Sequence, residues 1–286
     1  VFAMMITEAE ISVSKACSGL GMSRSSYYKI QRTKKADGVD FNARGIIHAI
    51  ALEYPFYGYR RITAEMHRRG QSINHKKVLS IMRNDNLLCI RKKFKVITTD
   101  SNHNLPVFKN LIKDIELTKL NQLWVSDITY IQLQKDYVYL AVVIDRFSRR
   151  CVGWDMGRKI DALLAINALK MAISERKSLG FCGLIHHSDQ GVQYASHEYV
   201  NLLKEHGICI SMSRRGNPYD NAFAESFMKT IKAEEVYMKE YRTFDEAYTN
   251  IKQFIEEVYN SKRLHSSIGY VPPKEFETTI LNNCEA

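Results

Sequence analysis

Hydrophobic positions recur with a helical period in the first third of the chain and with a strand period after it. Glu10 to Ser18 reads as a helix, Gly19-Leu20-Gly21 as a turn and Ser23 to Ile30 as a second helix with Ser23 as its N-cap. That is helix-turn-helix spacing, with Arg24, Ser25 and Tyr28 near the start of the second helix, where such a helix meets DNA. Residues 32–43, with Thr33-Lys34-Lys35 and Gly38, read as a linker. A second helical module follows from Asn42 to about Leu88. Ile46, Ile47, Ile50 and Ala51 form its first apolar stripe, and Tyr57 to Arg61 turns the chain. Ile62 to Arg69 is a helix ended by Gly70, and Asn74 to Asn84 is another. The last of these sets Val78, Leu79, Ile81 and Met82 against a basic face with Lys76 and Lys77, which suits contact with a nucleic-acid backbone. Arg91, Lys92 and Lys93 continue as a basic arm, and residues 98–121 read as an extended connection.

From Trp124 the period changes. Trp124 to Leu133, Tyr137 to Asp145 and Arg150 to Gly157 are rich in Val, Ile, Tyr and Trp and read as strands. The segments between them are short, so these strands are antiparallel neighbours. Asp161 to Lys177 is an amphipathic helix. Gly183 to Asp189 and Ile208 to Ser213 are strands on either side of a helix from Ser196 to His206. Tyr219 to Tyr237 and Phe244 to Tyr259 are helices. The order βββ-α-β-α-β-α-α predicts an α/β fold on a mixed sheet, preceded by small all-α modules.

Charge sharpens this division. Before Trp124 there are 21 basic and 10 acidic residues, and from Trp124 onward 20 and 21, so the first part holds the whole net charge of +10. A basic helical region on a near-neutral remainder points to a polyanion partner. The six cysteines are scattered with no C-x-x-C pair, which argues against a zinc site. Glu8 and Glu10 fall where a signal peptide needs its apolar core, and no run approaches a membrane span. An intracellular protein with no membrane partner is expected. The chain opens on Val1, as a trimmed chain or the downstream part of a longer product would.

Three carboxylates stand out. Asp127 lies mid-strand, on one face with Val125 and Thr129. Asp189 closes the strand Leu184 to Asp189, at the kind of strand end where open α/β sheets place ligands. Glu225 lies in a helix, with 35 residues between it and Asp189. Phosphodiester transfer uses two cations, one for the attacking oxygen and one for the leaving oxygen. Mg²⁺ and Mn²⁺ prefer hard carboxylate ligands. Each residue alone has an ordinary explanation as a turn, a cap or a solvated helix face; together, on two strands and a helix, they make one site.

The chain resembles the DDE transposases of bacterial insertion sequences, whose catalytic core is related to retroviral integrase. The resemblance rests on Trp124-Val125-Ser126-Asp127-Ile128-Thr129-Tyr130, on His187-Ser188-Asp189-Gln190-Gly191-Val192-Gln193-Tyr194 and on Gly216-Asn217-Pro218-Tyr219-Asp220-Asn221-Ala222 before Glu225. Tyr57-Gly58-Tyr59-Arg60-Arg61, Tyr259-Asn260, Arg263, His265 and Pro272-Pro273 match as well. It covers nearly everything from about residue 45. It implies a ribonuclease H-like core, the triad Asp127, Asp189 and Glu225, two Mg²⁺ ions with Mn²⁺ able to substitute, and transposition through a circular DNA intermediate. It also implies a frameshift fusion with an upstream segment and a bacterial cytoplasmic, nucleoid-associated setting. Partners are duplex DNA, at the element's terminal repeats and at the target, and a second copy of the chain, since two ends must be brought together.

Around the triad, Lys229 and Lys232 share the helix face of Glu225 and are placed to hold phosphates. Arg214 and Arg215 open a Gly- and Pro-containing loop that could close over the site. His187 shares the face of Asp189 and either supports the site or packs in the core; Asn221 is either a supporting amide or part of the helix cap. Asp145, at the end of the second strand, is read as a turn residue. The expected organisation is a helix-turn-helix module at 1–35, a second basic module at 42–97, a linker at 98–120, the catalytic core at 121–265 and a C-terminal tail at 266–286.

Overall fold

A computed structural model of the chain describes residues 12–88, 106–214 and 221–284 apart from positions 20 and 114, with the backbone alone for 16, 30–41 and 284. The expected DNA contacts Arg91, Lys92, Lys93 and Arg215 lie outside the described residues. The chain divides into two compact units, Val1–Cys89 and Ile90–Ala286.

In the first unit α1 spans Val13–Gly19 and α2 spans Arg24–Glu53. Ser23 caps α2 as expected, its side chain accepting from Ser26 N at 3.1 Å. The helix does not stop at Ile30, however, and the stretch 32–43 read as a linker is helical throughout. No proline interrupts it, and one interior glycine costs only about 1 kcal/mol relative to alanine. Helices α3, Tyr59–Arg68, and α4, His75–Asn84, follow. They bury Ile62, Met66, Val78, Ile81 and Met82 together with Ile47 and Ile50 of α2. The Asn74 side chain caps α4 by accepting from Lys76 N.

The second unit is built on a five-stranded sheet in the order β3-β2-β1-β4-β5. Strands β1 (Leu123–Gln132), β2 (Tyr137–Asp145) and β3 (Cys151–Gly157) are antiparallel, as their short connections predict. Strands β4 (Ile185–Ser188) and β5 (Cys209–Met212) run parallel to β1. On one face lie α5 (Ala162–Arg176), the short α6 (Val192–Ala195) and α7 (His197–Glu205), packed with Trp124, Val143 and Val152. On the other lie α8 (Ala222–Glu234) and α9 (Phe244–Gln253), which runs on as a π-helical turn through Tyr259, packed with Leu123, Val125 and Ile131. The two-residue alternation of β1 therefore feeds two cores, which fixes its register.

Asp145 is the turn residue expected: fully buried, it accepts from the backbone N–H groups of Asn121, Phe147 and Ser148. Asn260 clamps β3, accepting from Cys151 N at 3.0 Å and donating to Cys151 O at 2.9 Å. Arg263 forms a two-pronged pair with Glu234. The stretch 266–286 expected as a tail holds a helix, α10, from Pro273 to Cys284. Its Glu277 is buried against Arg150 and Arg176. The signal was Pro273 at the first helical position, where a missing N–H costs nothing.

Candidate active site

Parallel pairing aligns β1 with β4, Val125 opposite His187. Two residues beyond this last pair on each strand stand Asp127 and Asp189, the latter just past the end of β4, and the charge of Asp189 reaches the Asp127 carboxyl. Asp189 is held there by its own turn: its Oδ1 accepts from Gly191 N at 2.9 Å. A Cβ on Gly191 would stand only 3.0 Å from that oxygen, so the turn favours glycine. Glu225 comes from α8, which lies against β1. Asn221, the residue before α8, does not cap the helix; its Nδ2 donates to Ser126 O at 3.2 Å and ties the helix start to β1 beside Asp127.

Asp127 is half-buried, accepts from Ile128 N at 2.9 Å and carries the most informative shift of the site. Burial first, then the charge of Asp189 and less strongly that of Glu225, push its carboxyl up to about 7, against the opposing pull of the Ile128 hydrogen bond and Lys232. Asp127 thus feels the charge of both other acidic groups. Among the described residues, no three His, Cys, Asp or Glu side chains are gathered into a group ready to hold a metal ion. Each carboxylate has a local partner instead: Ile128 N for Asp127, Gly191 N for Asp189 and Lys229 for Glu225, at 3.3 Å.

The lysines divide. Lys229 is exposed and pairs with Glu225, while Lys232 is half-buried, with its ammonium 4.3 Å from the centre of the Tyr130 ring and within reach of the Asp127 charge. Arg214 is exposed. His187 is fully buried and its Nδ1 meets Ser211 Oγ of β5 at 2.8 Å, a link within the sheet. His186, on the opposite face, meets Ser126 and Tyr199; burial, with His187 beside it, lowers it to about 3, so it is neutral. In the helical unit Arg24, Ser25, Tyr28, Lys76 and Lys77 are all exposed, and Ser25 Oγ also meets the capping Ser23 Oγ. Two arginines that sequence reading passed over, Arg146 and Arg149 of the β2–β3 turn, lie over the face of Phe223 on α8. Arginines in a turn carry no signal of their own.

Three antiparallel strands leading into two parallel ones, with helices on both faces, make this a ribonuclease H-like fold of the integrase type. Residues 118–218 and 206–273 match the integrase core domain family, and residues 40–95 match a helix-turn-helix-like domain. The latter takes in the end of α2 with α3 and α4, over the stretch 42–97 read as the second basic helical module. A 31 kDa protein of insertion element IS600 from Shigella sonnei is 35% identical over 91% of this chain and 96% of its own. The transposase InsF of IS3A from Escherichia coli is 34% identical over 96% of each chain. The HTLV-2 integrase catalytic core domain solved with magnesium is 18% identical, at a TM-score of 0.41 over 55% of this chain and 97% of that one. The chain belongs to the insertion-sequence transposases with an integrase core domain, and is by class a DNA polynucleotidyl transferase. Among the described residues no helix is long and apolar enough to cross a membrane.

Proposed function

We propose that this transposase binds the ends of its insertion sequence, as a dimer or larger assembly in the bacterial cytoplasm, and cuts and joins DNA in a Mg²⁺- or Mn²⁺-dependent reaction through Asp127, Asp189 and Glu225. One observation carries this reading: a strand-borne carboxyl is lifted to about 7 by burial and by two acidic neighbours on separate elements. Such an arrangement is costly for folding and useful where positive charge will arrive.

The donor set is carboxylate oxygen throughout, which fits Mg²⁺ and Mn²⁺, and Asp127, Asp189 and Glu225 would hold two such ions. When bound, these supply Lewis-acid charge and a water of lowered pKa at the reacting phosphate. The chain's own residues do the positioning. Asn221 fixes the helix of Glu225 to the strand of Asp127. Lys232, braced on Tyr130, and Lys229, one turn before it on the same helix, meet phosphates of the bound strand. Arg214 and Arg215 contact phosphates of the same strand. The helical unit holds the element's end through Lys76 and Lys77 at the start of α4 and through Arg24, Ser25 and Tyr28 of α2, with Arg91, Lys92 and Lys93 along the backbone.

Water attacks the phosphodiester at the element's end, the P–O3′ bond breaks and a 3′-hydroxyl is freed. That hydroxyl attacks a second phosphodiester, forming one P–O bond as the P–O3′ bond of the receiving strand breaks. No bond to the protein forms. On a labelled duplex bearing the element's end, cut and joined products are expected with Mg²⁺ or Mn²⁺ and none in EDTA, with no protein–DNA adduct surviving SDS. Products in EDTA, or a trapped adduct, would overturn this reading.

A further inference from the structure

The β2–β3 turn, Arg146-Phe147-Ser148-Arg149, carries two arginines unlike ordinary surface ones. Both are half-buried. Arg149 Cζ lies 4.0 Å from the centre of the Phe223 ring and Arg146 Cζ 5.9 Å. Among the described residues neither meets a carboxylate, whereas Arg150, next in the chain, meets Glu175 and Glu277. Burial lowers both guanidinium pKa values, and for Arg149 the nearby charges of Arg146 and Arg263 lower it further. Arginine remains charged under such pressure. Among the described residues, two partly desolvated positive charges therefore stand together with no carboxylate paired to them.

They line a cleft of about 400 Å³ together with Lys113, Val125, Phe223 and Ser226. The cleft adjoins the triad. Val125 precedes Asp127 by two residues on the same strand face, about 7 Å along β1, and Ser226 follows Glu225. The backbone of Arg149 is left-handed, with φ of 68°, a conformation glycine adopts more easily. The turn alone would be better served by glycine; what arginine adds here is its side chain.

We propose that Lys113, Arg146 and Arg149 form a phosphate-binding cleft that grips the DNA backbone beside the reacting phosphate. This rests on the reading of the triad as a DNA-joining site. The guanidinium forks suit paired phosphate oxygens, Phe223 holds Arg149 in place and Lys113 adds a point charge. The phosphates belong either to the element's own end or to the target, which share this chemistry.

The test is a salt titration of DNA binding by the full chain, using one duplex bearing the element's end and one of unrelated sequence. Wild type, Arg146→Gln, Arg149→Gly and the double variant are compared. Each single change is expected to shrink the slope of log affinity against log salt by about 0.9, and the double change by about 1.8. Arg149→Gly is expected to melt no lower than wild type, since glycine relieves the left-handed backbone. A smaller slope on the end duplex alone assigns the cleft to the element, on the unrelated duplex alone to the target, and on both to any backbone. Unchanged slopes on both duplexes, in variants that fold and in a wild type that still cuts and joins DNA, overturn the cleft and leave the triad standing. A wild type that neither binds nor cuts DNA overturns both.

Discussion

Replacing Asp127 by asparagine is expected to abolish cutting and joining, by about 10³-fold or more, while making the cation-free protein more stable at pH 8. The loss of activity follows from removing one of three anionic ligands at a site worth several kcal/mol of charge stabilisation. The gain in stability follows from Asp127's raised pKa. The folded carboxyl titrates near 7, against an ordinary value of 3.8. Between those two values the folded protein holds a proton that the unfolded chain has released, so stability falls as pH rises through that window. Above 7 the full cost of the buried charge is present; below the ordinary value it is absent. Asparagine has no charge to bury, so its advantage should be about 1–3 kcal/mol at pH 8 and vanish near pH 4. Melting temperatures of both proteins in EDTA from pH 4 to 8 check this. A constant difference across that range, or none, would mean that burial and the acidic neighbours do not raise the Asp127 carboxyl.

The second large effect is structural. A Cβ added at Gly153 would stand 2.2 Å from Ala168 O and 2.7 Å from Ala172 N, both backbone atoms of α5. Backbone cannot turn aside as a flexible side chain can, so Gly153→Val must lift α5 away from β3 and open the core that holds Val152, Ala168 and Ala172. The expected cost is about 4 kcal/mol or more, seen as insoluble expression or a melting temperature lower by some 10 °C or more. Near-normal stability would show that helix and strand are further apart than the structure places them. Activity should fall only in step with the folded fraction, since Gly153 lies on β3, two strands away from Asp127.

What could be read from the sequence follows what each residue has to satisfy. The strands were legible because one face or both must be apolar, and β1 shows both, with Leu123, Val125 and Ile131 on one side and Trp124 on the other. Short connections announced the antiparallel half of the sheet. Asp127 and Asp189 were legible because a carboxylate within or at the end of an apolar strand breaks the pattern that burial imposes. Glu225 was legible chiefly through the resemblance, since a glutamate on a helix breaks no pattern. The helix through 32–43 was not, because a polar stretch with a glycine has no apolar period to announce it and can be helical by propensity alone. Nor was the arginine cleft, since Arg146 and Arg149 become unusual only when Phe223, from more than seventy positions away, comes to lie beneath them. Asn221 lay between two readings that only distance could separate: its amide reaches Ser126 O on β1 instead of capping its own helix.

The most direct measurement of the central claim is strand cutting and joining by Glu225→Gln on a labelled duplex with the element's end, in Mg²⁺ or Mn²⁺, beside wild type. The change keeps the side chain's shape and removes one charge. The expected result is joined product from the wild type and none from the variant, with DNA binding retained by both. Equal activity in the two proteins would contradict the account, because Glu225 would then hold nothing that the reaction needs.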